Sequence, residues 1–249
     1  MIRTVLFELS KVSRRTLGIV IGVGVFMISI NVIGVASQSA TDLDNGVTTV
    51  SEATRHIVLN GFAGLLFATL MGAYLITGEE KARTLGSTFL LNPRRGQVLR
   101  AKAAVAALLG LVIGLAANGS AVVAMWGTLR IHGYSPVFDR PVTVTLLATT
   151  AVMAAAAPWG LALGTFLRQS VIATVAIVVY TTMFETVIIE FLPKVGRFLP
   201  GGVQAAVMDD QLIPDRLGRL PGGLMLVGYI LVALVAAHQY LRAREIRAS

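Results

Sequence analysis

Six long apolar runs alternate with short polar stretches along the chain. They cover Thr16–Ala36, Ile57–Thr77, Ala103–Gly127, Val142–Phe166, Ser170–Leu192 and Gly222–Leu241. Each holds about 20 residues or more, enough to cross about 30 Å of hydrocarbon as an α-helix. In lipid every backbone polar group must be bonded within the protein, so isolated runs of this length predict helices and not strands. The first run exceeds the roughly 7–15-residue core of a cleaved signal segment and is expected to be a retained anchor. Ahead of it, Ile2, Val5, Leu6, Leu9 and Val12 share one helical stripe, while Arg3, Glu8, Lys11, Arg14 and Arg15 fall largely elsewhere. This pattern predicts an amphipathic helix over residues 1–15, lying in the membrane interface with its apolar face in lipid.

The connectors differ in character. Residues 37–56 form a short polar loop, and residues 128–141 contain Gly133, Pro136 and Pro141, which predict turns. Residues 193–221 are mixed. Phe198–Val207 is too apolar for a free loop, yet Pro193, Pro200, Pro214 and Pro221 break the segment. A short re-entrant helical segment between the fifth and sixth spans fits both facts, because irregular backbone at membrane depth needs protein cover or a water-filled cavity. No internal repeat or low-complexity tract divides the chain. The expected fold class is an all-α membrane protein, one six-span transmembrane domain over residues 1–249.

Composition agrees. Of the 249 residues, 55% are hydrophobic and 14% charged, against about 25% charged in soluble domains. The absence of cysteine excludes a disulfide framework and a thiolate metal site. His56, His132 and His238 are scattered and form no metal-ligand pattern.

Charge then orients the chain. An even number of spans places both termini on one side. The N-terminal segment, the loop 78–102, the turn Leu167–Gln169 and the C-terminal tail carry 14 of the 21 basic residues and four acids. The other side carries seven of each, and Glu185 and Glu190 lie inside the fifth span. The net charge of +8 therefore resides on one face. By the positive-inside rule that face, with both termini, is cytoplasmic. The basic residues act as topology signals and contacts to membrane lipids, so no nucleic-acid partner is expected.

The loop 78–102 carries the most information. It opens on Glu79 and Glu80, continues apolar at Leu85, Phe89 and Leu90, breaks at Pro93, and restarts through Arg94, Arg95 and Arg100 to Lys102 at the third span. From pattern alone this is either a folded cytoplasmic element or a set of positive-inside arginines around an incidental proline. The run resembles the cytoplasmic loop of the ABC type-2 (export-type) permeases. In that family an acid precedes a Gly-Thr pair, a Leu-rich turn, a proline, basic residues and a lysine that opens the next span. Glu79, Thr84, Thr88-Phe89-Leu90-Leu91, Pro93-Arg94-Arg95-Gly96 and Lys102 occupy matching positions. The sequence departs at Arg83, where the family usually has glycine. Six spans, cytoplasmic termini and the N-terminal amphipathic helix agree with the family, so the resemblance extends over nearly the whole chain.

The resemblance implies a permease half that pairs with a second copy or a paralogue and sits on two cytoplasmic ABC ATPase subunits in a prokaryotic plasma membrane. The ATPase-coupling residues would be Glu79, Thr84, Thr88, Phe89, Leu90, Pro93, Arg94 and Arg95, with Arg168 in the turn Leu167–Gln169 as a second contact. The chain has no Gly-x-x-x-x-Gly-Lys-Ser/Thr loop. No cofactor is expected in it, and ATP and magnesium would be bound by the partner ATPase, so the chain itself would be no enzyme. The cargo would be hydrophobic or amphipathic, such as a drug, lipid or peptide.

Other residues leave alternatives open. Thr174, Thr181 and Glu185 fall on one helical stripe of the fifth span, and Glu190 faces elsewhere near the outer interface. Glu185 is either a pathway or outer-gate group, with Thr174, Thr181 and Glu190 beside it, or a structural hydrogen-bond partner; the threonines would then bond back to their own helix. Asn31, Asn60 and Asn118 suit interhelical hydrogen bonds or the pathway lining. Gly18/Gly22, Gly110/Gly114 and Gly160/Gly164 have the spacing of close helix contacts, and Pro158 predicts a kink. The rivals to an exporter are a secondary, ion-coupled transporter and a non-transporting immunity or scaffold protein. An intramembrane protease fits worse, because Glu79-Glu80-Lys81-Ala82-Arg83 is one residue short of the Glu-Glu-x-x-x-Arg pattern.

Overall fold

The structure is a computed structural model and describes residues 2–12, 14–82, 84, 95–210 and 215–246. Among the described residues there is no strand. Helix α1 (Ile2–Lys11) precedes α2 (Arg14–Asp44). Helix α3 (Val50–Leu59) continues through a 3-10 turn, Asn60–Ala63, into α4 (Gly64–Lys81). Next come α5 (Arg95–Ile131) and α6 (Arg140–Leu167). Helix α7 (Ser170–Val179) passes through a π turn at Tyr180–Phe184 into α8 (Glu185–Phe191). Two short helices, α9 (Pro193–Gly196) and α10 (Pro200–Met208), lead to α11 (Arg219–Ile246). Six stretches are long and apolar enough to span a membrane: Gly18–Asp44, Val50–Lys81, Gly96–Ile131, Arg140–Leu167, Ser170–Phe191 and Arg219–Ala243. The architecture is that of a multi-pass, all-α membrane protein.

The second, third and fourth spans form the interior, with 59%, 56% and 50% of their most apolar windows buried, against 22%, 17% and 17% for the first, fifth and sixth. Helix α6 is the centre. On one side Gly160 lies against the backbone carbonyl of Thr69 and Gly72 against that of Ala157, so a Cβ at either position would collide with main chain. A Cβ on Gly164 would come within 2.7 Å of the Ala73 carbonyl oxygen. On the other side a Cβ on Gly110 would stand 2.5 Å from the Met153 carbonyl oxygen. Such small residues let backbones approach where lipid offers no hydrophobic drive between helices. The glycine spacing at 110/114 and 160/164 thus marks real contacts, whereas Gly18 and Gly22 have nothing within 4 Å of a built Cβ.

Asn118 joins the same interface. Its Nδ2 donates to the Leu146 carbonyl at 3.0 Å and to Thr150 Oγ1 at 2.7 Å, and its Oδ1 accepts from Thr149 Oγ1. The expectation of an interhelical bond does not hold for Asn60, whose Nδ2 returns to the His56 carbonyl one turn back. Asn31 is exposed and turns away from the interior.

The segment 37–56 corrects the expectation of a loop. Helix α2 runs on to Asp44 and α3 begins at Val50. Ser37 and Thr41 return their hydroxyls to the carbonyls of Ile33 and Ser37, which lets a polar sequence stay helical. Thr49 and Glu52 form a capping box that restarts the chain as α3. Asp139 caps α6 by accepting from the Val142 N–H at 3.0 Å. The Ser51 hydroxyl and that N–H both hold the Asp139 carboxyl below its ordinary range.

The contacts sort the polar segments into two ends. At one end α1, the end of α4, the start of α5 and the α6–α7 turn are joined by Glu8–Lys102 and Glu80–Arg168 pairs, with His238 of α11 against Gly96. At the other, Asp44 meets Tyr134 and His132, and Arg55 meets Asp209.

A bulky side chain at the α4–α6 crossing should force these helices apart. Gly160→Leu is expected to lower stability by at least about 1–3 kcal/mol and Gly18→Leu to leave it unchanged, read as thermal unfolding midpoints in detergent. Equal midpoints would remove the crossing as the fold's organising contact.

Candidate functional site

Two features concentrate polar chemistry in an otherwise apolar molecule: a charged cluster at one end and a cavity along the fifth span.

The cluster centres on Lys102, which is 3% exposed. Its Nζ lies 2.6 Å from Glu8 Oε2, 2.8 Å from Glu79 Oε1 and 3.4 Å from the Leu75 carbonyl oxygen. Lys11 Nζ lies 2.9 Å from Glu8 Oε1 and 3.2 Å from Glu79 Oε1. Two carboxylates and two ammonium groups thus alternate, with Glu8 and Lys102 buried, Glu79 half-buried and Lys11 at the exposed edge. A buried charge is tolerated only when paired in this way. The cluster corrects part of the expectation for residues 1–15. Val5 and Val12 pack on the core and Glu8 points inward at 4% exposure, while Leu6 and Leu9 are exposed. A lone acid in a basic helix was the available signal; its partner lies 94 residues away.

Glu79, expected at the ATPase contact, is held in this cluster, with one carboxylate oxygen, Oε2, buried and unbonded. Thr84 is exposed and caps the end of α4 through its N–H, 3.0 Å from the Glu79 carbonyl oxygen. Arg168, with a positive φ of 60°, pairs with Glu80 at 3.4 Å, so the turn Leu167–Gln169 stands beside the end of α4. Thr88, Phe89, Leu90, Pro93 and Arg94 lie outside the described residues, as does Arg83. Arg95 is described as the first residue of α5.

The cavity, of about 940 Å³, is walled by α4, α6, the α7–α8 span and α10. Leu65, Leu66, Leu163, Ile177 and Ile189 make much of the wall apolar. Trp159, Tyr180, Thr181, Gln204, Glu185, Glu190 and Asp210 supply its polar groups. The Glu185 carboxylate, 5% exposed, accepts the Gly201 N–H at the start of α10 through Oε1. Leu199, the residue before α10, offers no side-chain cap. Glu185 fills that role from another helix, where an anion meets the positive end of the helix dipole. It is therefore a hydrogen-bond partner and part of the cavity wall at once.

The expected stripe Thr174, Thr181, Glu185 is redrawn. The buried face runs Ala173, Ile177, Thr181, Glu185, and Thr174 is exposed and off the cavity. Residues four apart drift by about 40° on an α-helix. The π turn takes fewer degrees per residue and offsets that drift. Thr174 and Thr181 bond back to Ser170 and Ile177. Glu190 does not face elsewhere: it is exposed but lines the rim of the same cavity. Trp159, Tyr180, Gln204 and Asp210 were missed by sequence reasoning. Gln204 alone had a signal, as a polar residue in an apolar run.

Beyond the cavity, Asp209 gathers three guanidinium groups. Arg55, Arg216 and Arg219 approach its carboxylate at 3.1, 2.8 and 3.1 Å, and Arg55 also donates to its carbonyl at 2.7 Å. This clasp ties α3 and the start of α11 to the end of α10. Among the described residues no three potential ligands converge as a metal site. No protein-family model and no curated protein matches the chain.

Lys102→Met leaves the buried Glu8 and the half-buried Glu79 to the exposed Lys11 and is expected to lower stability by up to about 3–5 kcal/mol, with much of the loss recovered in the Glu8→Gln/Lys102→Met double variant. Because the chain lacks cysteine, Val5→Cys can be labelled cleanly with maleimide. Lys102→Met should speed that labelling as α1 detaches; an unchanged rate would mean that packing, not charge, holds α1.

Proposed function

We propose that this chain is the permease subunit of an ATP-driven exporter in a prokaryotic plasma membrane. It works with a second copy or a paralogue on two cytoplasmic ATPase subunits and moves a hydrophobic or amphipathic cargo outward. The end bearing α1, the 78–102 region and both termini faces the cytoplasm, and α9 with α10 re-enters the outer leaflet. The observation that carries the proposal is the path from charged cluster to cavity along a single helix. At one end of α4, Glu79 and Glu80 join α1, α5 and the α6–α7 turn. At the other, Leu65, Leu66 and Thr69 form the cavity wall.

Force applied by an ATPase to the segment between α4 and α5 would arrive at a paired, buried network. It would pass along α4 without loss in a flexible joint. The glycine contacts between α4 and α6 make relative sliding of the two costly, so both would tilt together and change which end of the cavity is open. This is gating by rigid elements. The sequence holds no phosphate-cradling loop of its own, which agrees with a separate ATPase.

A secondary, ion-coupled transporter is the second reading. Glu185 favours it, since a buried acid within a span is the group such carriers use.

Affinity purification of the full chain in mild detergent is expected to bring down an ATP-binding subunit at a one-to-one ratio. Arg95→Ala or Pro93→Ala should then reduce cargo-stimulated ATP hydrolysis roughly tenfold at unchanged yield. Normal stimulation in those variants would remove the coupling role. No ATPase, together with uptake that follows a proton gradient, would select the carrier.

A further inference from the structure

The cavity has a charge character that its apolar walls conceal. Its ionisable acids are Glu185, Glu190 and Asp210, and no lysine, arginine or histidine is among its described lining residues. The nearby guanidinium groups of Arg55, Arg216 and Arg219 all turn to Asp209, which is not part of the wall. Positive charge stands close by, yet is held away from the space itself.

Glu185 is the deepest of the three acids. One oxygen takes the Gly201 N–H, and the other has no protein donor among the described residues. The dipole of α10 supplies the equivalent of roughly half a positive charge, which leaves a carboxylate in a low-dielectric wall undercompensated. The rings of Trp159 and Tyr180 border the same space. Aromatic faces attract cations, most strongly where water is excluded. The volume of about 940 Å³ suits a drug-sized molecule. A metal ion fits poorly, because no three ligating groups converge among the described residues.

We propose that the cavity is a binding site for lipophilic organic cations, with the cationic centre against Glu185 and the apolar body between α4 and α6–α8. The proposal rests on the cavity being the cargo chamber of the exporter and names the class of that cargo. An anion of the same size is disfavoured by Glu185 and Glu190, and a neutral molecule leaves the buried carboxylate without its counter-charge.

Tetraphenylphosphonium and tetraphenylborate test this, being nearly equal in shape and opposite in charge. Equilibrium dialysis against the purified full chain in maltoside, a neutral detergent without choline, is corrected with empty micelles. The phosphonium is expected to bind at least about tenfold more tightly than the borate, and Glu185→Gln to weaken phosphonium binding by at least about tenfold. Ala205→Trp, which fills the cavity from α10, should remove it. Equal affinity for the two ions, or tighter borate binding, overturns the proposal, and so does unchanged phosphonium binding in Ala205→Trp. The wild-type comparison stands even if a variant fails to fold. Binding by this chain alone needs no ATPase. A co-purifying ATPase without cation preference removes the cation site and leaves the exporter; cation preference without an ATPase does the reverse.

Discussion

Backbone contact between α4 and α6 is the constraint on which the rest of the structure depends. Gly72 against Ala157 and Gly160 against Thr69 bring two main chains together at a distance no side chain would permit. In water, apolar side chains would bury themselves without such intimacy. In lipid the surroundings are as apolar as leucine, and association rests on dispersion contacts and hydrogen bonds. The Asn118 node adds the hydrogen bonds between α5 and α6. Three helices so joined form a stiff centre, and the first, fifth and sixth spans lie around it with most of their apolar surface outward.

That centre explains where the polar features fall. The cavity exists because the fifth span packs less closely than the inner three, leaving space between α4, α6 and α10. The π turn in that span keeps Thr181 and Glu185 turned inward over a length where an α-helix would rotate them out. Glu185 then reaches α10 and caps it, so one carboxylate positions a short helix and faces the cavity. At the far end of the same span, the α6–α7 turn meets α4 through Arg168 and Glu80. Helix α4 borders the cavity at one end and meets the α6–α7 turn at the other, which makes it the natural carrier of motion between the proposed ATPase contact and the proposed cargo space.

The charged cluster and the clasp at Asp209 show two uses of ionic contacts. Glu8 and Lys102 are buried and Glu79 is half-buried, with Lys11 pairing both acids from the exposed edge, so losing Lys102 leaves buried carboxylate charge undercompensated. Asp209 is partly exposed, and its three arginines bind in a setting where water screens each pair. The first arrangement fixes α1; the second gathers loose ends and keeps guanidinium groups off the cavity wall.

Much of this protein is a one-dimensional property of its chain. The six spans follow from runs of apolar residues long enough to cross a bilayer, because a helix bonds its own backbone and needs no partner to be stable there. The separation of basic from balanced segments follows from counting, as do the glycine spacings at 110/114 and 160/164. Other features depend on which helix faces which. Among the described residues the same spacing at Gly18/Gly22 makes no contact, Asn118 finds three partners while Asn31 lies exposed, and the capping box at Thr49 and Glu52 hides a helix in a polar stretch. Glu8 meets Lys102 across 94 positions and Glu185 meets Gly201 across 16. Hydropathy says that a residue can be buried, but only tertiary packing decides against what, because the stabilisation of a buried charge lies in its partner and not in itself.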